Sequence, residues 1–142
     1  MRVFEAQIDI AAPPDVVWEH LADFESYPDW NPFILWAEGD LVEGGTVRFG
    51  VPTQKKPLTA TVLSVKPGEA LIWAAKSAPG IQPKYIRRLE VVDTQTTRFI
   101  NREEFTGPLV WLARPILNKL EPYYEQTCVA LRDRVEAATA NQ

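Results

Sequence analysis

Asn101 and Glu103 stand two residues apart in a segment, Thr97 to Thr106, that reads as a β-strand. Alternation is the period of a β-strand, so both share a face with Phe99 and Phe105. A carboxyl among apolar neighbours has its pKa raised, which suits it to give or take a proton or to anchor a ligand hydroxyl. An offset register, or pairing of Glu103 with Arg102 or Arg87, is the structural alternative. Arg87 and Arg88 are adjacent and so point to opposite faces of their strand. Arg87 shares parity with Tyr85, Leu89 and Val91, which aims it inward, where a guanidinium can hold a carboxylate or a polarised carbonyl. A solvated or salt-bridged arginine is the plainer reading, because arginines are seldom buried without a partner. Glu103 and Arg87 are the two catalytic candidates.

The remaining reactive types carry less. His20 falls on the first helix, away from these strands, and reads as a surface or packing residue. Cys128 lies near an apolar stripe and reads as a small buried hydrophobe. A cysteine nucleophile needs a base beside it, and the one histidine is on another element. Tyr123, Tyr124 and Thr127 can present hydroxyls to a ligand or simply pack. Trp18, Trp30 and Trp36 read as core and support. One cysteine excludes an internal disulfide, and with one histidine it leaves no zinc or haem constellation. Neither a metal nor another cofactor is expected.

The element that must position these groups is the last long apolar-periodic segment, Pro108 to Ala138. Leu109, Leu112, Ile116, Leu120, Tyr123 or Tyr124, Thr127 or Cys128, Leu131 and Val135 recur every three or four residues, a stripe along one helical face. Such a helix is marginal alone and needs a surface to dock on. Pro115 and Pro122 each remove a helical hydrogen bond, which predicts a kink or break between them.

That surface is a sheet. Val3 to Ile10 alternates as a half-buried strand. Ala11 to Asp15 starts a helix, with proline tolerated in its first turn, and Val16 to Phe24 continue it. Asp23 to Pro32 is dense in turn formers, and its prolines bias Tyr27 and Asn31 away from helical backbone; a second short helix or tight turn is expected. Six more strands follow: Phe33 to Glu38, Thr46 to Val51, Leu58 to Lys66, Ala70 to Lys76, Tyr85 to Val92 and Thr97 to Thr106. Their short connections, such as Lys66-Pro67-Gly68-Glu69, imply antiparallel neighbours. Three loops, Val51 to Pro57, Lys76 to Lys84 and Thr106 to Pro108, should meet at one end, where the second could gate an opening.

With 142 residues and no linker or repeat, residues 1–142 read as one domain of the α+β class. The net charge of −4 argues against a nucleic-acid partner. The start of the chain shows neither a signal peptide nor a membrane span, so a cytoplasmic location is the default. Oligomeric state is not legible.

The segment from Val17 to Ile34, VWEHLADFESYPDWNPFI, resembles the opening of the SRPBCC group, the START-like and birch-pollen-allergen-like helix-grip proteins, and in particular members of polyketide cyclase/dehydrase type. Glu103-Glu104-Phe105-Thr106-Gly107 is similar to the Glu-x-Phe-x-Gly ending of their sheet, and the likeness spans essentially the whole chain. It implies a curved antiparallel sheet of about seven strands wrapped around a long C-terminal helix, with a mostly apolar cavity between them. The expected ligand-contacting residues are Phe49, Val51, Val62, Trp73, Tyr85, Arg87, Leu89, Phe99, Asn101 and Glu103 from the sheet. From the helix come Leu112, Ile116, Leu120, Tyr124 and Thr127. Val47, Ala60, Leu71, Ala75, Val91 and Phe105 complete the expected inward wall.

The fold serves many functions, among them lipid carriers, aromatase/cyclases and co-chaperone domains. Binding or transport of a small hydrophobic molecule is the favoured expectation, whether lipid, polyketide-like aromatic or isoprenoid. A cyclase-type enzyme and a non-catalytic protein-interaction domain are the alternatives; the residues offer no triad, dyad or metal set to favour catalysis.

Overall fold

The computed structural model describes residues 1–76 and 78–140. Seven strands form one antiparallel sheet: β1 (Arg2–Ile10), β2 (Trp36–Gly39), β3 (Thr46–Gly50), β4 (Leu58–Lys66), β5 (Ala70–Lys76), β6 (Gln82–Asp93) and β7 (Thr96–Thr106). Their spatial order is β1-β7-β6-β5-β4-β3-β2, so only the first strand leaves its sequential place, pairing with the last. The hairpins account for the rest. At the β4–β5 turn Gly68 takes a positive φ of 78°, and the Glu69 N–H donates to the Lys66 carbonyl at 2.8 Å.

Helix α1 (Pro14–Ala22) follows β1 and buries Val17 and Leu21. A 3₁₀ turn at Phe24–Ser26 leads into the single-turn helix α2 (Tyr27–Trp30). Asn31 is extended, as its following proline requires, but Tyr27 is helical. The Tyr27 hydroxyl donates to the Leu21 carbonyl and its ring packs edge-on against Phe24 and Trp30. That packing overrides the bias imposed by Pro28.

Strand β2 begins later than the pattern predicts. Asn31 Oδ1 accepts the N–H groups of Phe33 and Ile34 at 3.0 and 2.8 Å, holding both residues in a turn. They are buried all the same.

Helical structure at the C-terminal end comes in three pieces: α3 (Val110–Leu117), a 3₁₀ turn (Asn118–Leu120) and α4 (Glu121–Ala140). The break falls between the two prolines, as expected; Pro122 sits in the first turn of α4, where its missing N–H costs nothing. Upstream of the break the expected stripe is wrong by one residue. Leu109, Leu112 and Ile116 are exposed, and Val110, Ala113 and Leu117 take the inward positions. The inward row then runs on through Leu120, Tyr124, Cys128, Leu131 and Val135.

The core has two parts. At one end α1 and the later turns of α4 close on Ile10, Leu89, Phe99, Cys128, Leu131 and Val135. At the other, the rings of Phe49, Trp73 and Tyr85 interlock at centroid distances of 5.4 to 5.9 Å. Val91, expected inward, is 69% exposed. Strand β5 begins at Ala70, opposite Arg88, so β6 outruns its neighbour there and Val91 lies past the covered width of the sheet.

Candidate functional site

Strand register settles where the polar groups go. Tyr85 lies opposite Glu103, and Arg87 opposite Asn101, on the paired strands β6 and β7. All four are buried on the helix-facing side. From α4, Tyr124 donates its hydroxyl to Glu103 Oε1, and its ring stacks on Phe4 with centroids 5.1 Å apart. Asn101 donates from Nδ2 to the Tyr124 carbonyl at 3.2 Å. The Arg87 guanidinium lies over the rings of Tyr85 and Trp73, 4.8 and 5.1 Å from their centroids. Arg102 points the other way and pairs with Glu104 and Glu5 at 2.9 and 3.4 Å, so it does not neutralise Glu103.

Among the described residues, three buried side-chain atoms lack a hydrogen-bond partner: Trp73 Nε1, Arg87 Nη1 and Glu103 Oε2. Burial raises the Glu103 carboxyl to about 7, against the opposing pulls of the Tyr124 hydroxyl, the Arg87 charge and the nearby Tyr85 hydroxyl, which makes no hydrogen bond of full geometry to it. Near neutral pH, Oε2 therefore donates a hydrogen bond when the carboxyl is protonated and accepts one when it is ionised. Burial and the neighbouring Glu103 carboxylate push the Tyr85 hydroxyl well up, and the same two causes raise Tyr124.

A cavity of about 530 Å³ opens at this end, between the β6–β7 pair and the α3 segment. Of the expected ligand-contacting residues, Val51, Tyr85, Glu103, Ile116 and Leu120 line it. Phe49, Val62, Trp73, Leu89 and Phe99 do not; they are built into the packed core. Arg87 and Asn101 stand behind the lining, and Thr127 turns its hydroxyl back to the Tyr123 carbonyl at 2.7 Å. Tyr124 reaches Glu103 but lines a separate, smaller groove along β1. Leu112 is 58% exposed and off the cavity altogether.

Sequence reasoning missed Phe33, Leu58, Pro83, Ala113, Leu117 and Lys119 in the wall, and Thr53, Gln54, Ala78 and Ile81 at its edge. Pro83 and Leu58 share the inward parity of Tyr85 and Ala60, a signal that was present in the pattern. The three expected loops do meet. Thr53, Gln54, Ala78 and Ile81 line the opening, and the Leu109 N–H donates to the Gly80 carbonyl at 3.1 Å. Ser77, inside the loop expected to gate, lies outside the described residues.

His20 is half-buried away from the cavity, its pKa lowered by burial and by Arg134. The Cys128 thiol is pushed up to about 12 by burial, which removes it as a nucleophile at neutral pH. No cluster of three potential metal-ligating side chains occurs among the described residues, and no described helix is long and apolar enough to cross a membrane.

The family model described as polyketide cyclase / dehydrase and lipid transport matches residues 1–136. The chain belongs to this family. The fold of this family member is also that of solved structures. The Zhui aromatase/cyclase from a Streptomyces species superposes with a TM-score of 0.77 at 23% identity, covering 95% of this chain and 93% of that one. A START superfamily protein from Mycobacterium smegmatis gives 0.71 at 17% identity over 96% and 98% of the two chains. The di-domain aromatase/cyclase BexL gives 0.74 at 19% identity, covering 98% of this chain and 48% of that one. At these identities the likeness shows a shared helix-grip fold. No curated protein sequence matches the chain significantly.

Proposed function

We propose that this chain binds and carries a small hydrophobic molecule, of lipid, polyketide-like aromatic or isoprenoid character, in the cavity beneath α3. One observation carries the reading: a hollow of about 530 Å³ with mostly apolar walls is lined by Glu103, whose buried Oε2 has no hydrogen-bond partner among the described residues. Pockets of this volume suit ligands of ordinary small-molecule size, and a few placed polar groups fix their orientation. Leaving a buried polar atom unpaired costs about 1–3 kcal/mol. A ligand whose hydroxyl or carbonyl reaches Oε2 recovers that cost, so the bound molecule is apolar with an oxygen function at its inner end.

Native mass spectrometry of protein purified from its own host, followed by extraction, tests this. An apolar molecule bearing a hydroxyl or carbonyl is expected. Protein that carries nothing and takes up no apolar fluorescent probe would overturn the proposal.

A cyclase-type enzyme is the second reading, favoured by a Glu103 carboxyl near 7, the range in which one group serves as both acid and base. Turnover lost in Glu103→Gln with ligand affinity kept would select it. If Glu103→Gln changes neither turnover nor affinity, Glu103 has no part in either reading.

A further inference from the structure

The segments that frame the cavity opening differ in charge from the rest of the chain. Residues 50–58, 74–84 and 105–120 hold Lys55, Lys56, Lys76, Lys84, Arg114 and Lys119. These are six of the fifteen cations, and the same segments hold none of the nineteen acids. A chain of net charge −4 thus concentrates positive charge around one feature. Among the described residues, none of the six takes part in an ion pair; Lys84 stands across the strand pair from Glu104, which Arg102 holds at 2.9 Å.

The same rim carries exposed apolar side chains. Trp111 is 69% exposed, Leu112 58%, Ile116 69% and Leu109 42%. Helix α3 is held down by Val110 and Leu117 and turns Ala113 to the cavity, while Trp111, Leu112 and Ile116 are exposed beside the opening that Ile116 and Lys119 border. The backbone link from Leu109 to Gly80 binds the start of α3 to the β5–β6 loop. Thr53 and Gln54 bring the loop bearing Lys55 and Lys56 to the same opening.

From this coincidence of rim cations with a protruding tryptophan and aliphatic tips, we infer that the α3 rim docks on an anionic lipid bilayer, with the cavity opening turned toward it. Trp111 sits at the headgroup level, where its amphipathic ring is favoured, and Leu112 and Ile116 enter the acyl boundary. The lysines face the negative surface potential. Charge selects the occupant: the rim is positive, matching an anionic surface, whereas a second copy would set two positive rims against each other. The docking rests on the rim alone; its use, passage of an apolar ligand between bilayer and cavity without crossing water, rests on the carrier reading.

The experiment is co-sedimentation of the full chain with phosphatidylcholine vesicles, with and without phosphatidylserine, at low and high salt. Binding to the anionic vesicles is expected, weaker on phosphatidylcholine alone and weakened by salt. Each lysine neutralised, in Lys55→Gln and Lys56→Gln, should lower anionic-vesicle affinity about fivefold. Trp111→Ser combined with Leu112→Ser, both exposed and off the cavity wall, should abolish binding while leaving thermal stability and apolar-probe uptake unchanged. Failure to bind anionic vesicles at low salt, or binding untouched by the Trp111 and Leu112 changes, overturns the inference. A dimer that forms with concentration and is lost in the Trp111 variant, without vesicle binding, also overturns it and assigns the face to a second copy. Probe uptake reads the cavity separately, so failure of docking and failure of the carrier reading are distinguishable.

Discussion

The Tyr124 hydroxyl donates to Glu103 Oε1, joining α4 to β7 through two buried side chains. Each partner is itself fixed: Tyr124 by stacking on Phe4, Glu103 by its place opposite Tyr85 in the sheet. The hydrogen bond favours the charged carboxyl, so it partly offsets the burial that favours the neutral one. Tyr124→Phe keeps the ring and deletes the donor. The Glu103 pKa should then rise further, and the protein should lose about 1–3 kcal/mol, the penalty for a buried acceptor left unsatisfied. Carboxyl-carbon NMR titration and chemical denaturation check the two effects, and an unmoved or lowered pKa would contradict the assignment.

Glu103 also makes stability depend on pH, with a definite sign. Its folded pKa, about 7, lies above the ordinary 4.5. Between those values the folded state holds a proton that the unfolded state has released, so stability falls as pH rises through that window and levels off above it. The loss amounts to about 3 kcal/mol at full ionisation. Glu103→Gln removes the titration. Between pH 4 and pH 8 the wild type should lose stability relative to this variant by about that amount, as read by denaturation at each pH; parallel curves would show that Glu103 is not the group responsible.

Cys128 reports on the opposite end of the core. Its thiol is buried and pushed up to about 12, so neither access nor thiolate is available in the folded state. Thiol reagents should label it only through unfolding, at a rate that follows denaturant concentration. Rapid labelling of native protein at neutral pH would mean that the contact between α4 and the sheet opens locally.

What the sequence disclosed, and what it hid, follows from how many phases each pattern allows. Strand β7 runs for eleven residues, and a period of two leaves only two choices, of which one buries Phe99 and Phe105 and so carries Asn101 and Glu103 inward. The same logic placed Arg87. Helix α3 offered no such constraint. Leu109, Val110, Trp111, Leu112, Ala113, Ile116 and Leu117 are apolar almost all round, so a stripe could be drawn through Leu112 and Ile116 or through Ala113 and Leu117 with equal regularity. Tertiary packing chose the second. Parity also cannot tell a wall from a plug. Phe49, Trp73 and Tyr85 all point inward, but three interlocking rings leave no space among them, and the hollow begins only beyond Tyr85. The uneven placement of lysines around the opening was readable from sequence, but only the fold shows that those loops adjoin the exposed face of α3.

The distinction between wall and plug can be measured. Ala113 lines the cavity from α3, between the two residues that hold that helix down. Ala113→Trp should place its indole in the hollow. Enlarging a side chain in a filled core costs about 1–3 kcal/mol; with space available the cost should stay below about 1 kcal/mol. Uptake of an apolar fluorescent probe should nevertheless fall on the order of tenfold, because the indole takes volume the probe needs. Leu131→Ala is the complement. It empties a fully buried position at the far end of the core, which should cost about 2–5 kcal/mol and leave probe uptake per folded molecule unchanged. If Ala113→Trp takes up probe as wild type does, the apolar ligand occupies some place other than the space under α3; if it also loses several kcal/mol, that space is too small to receive one.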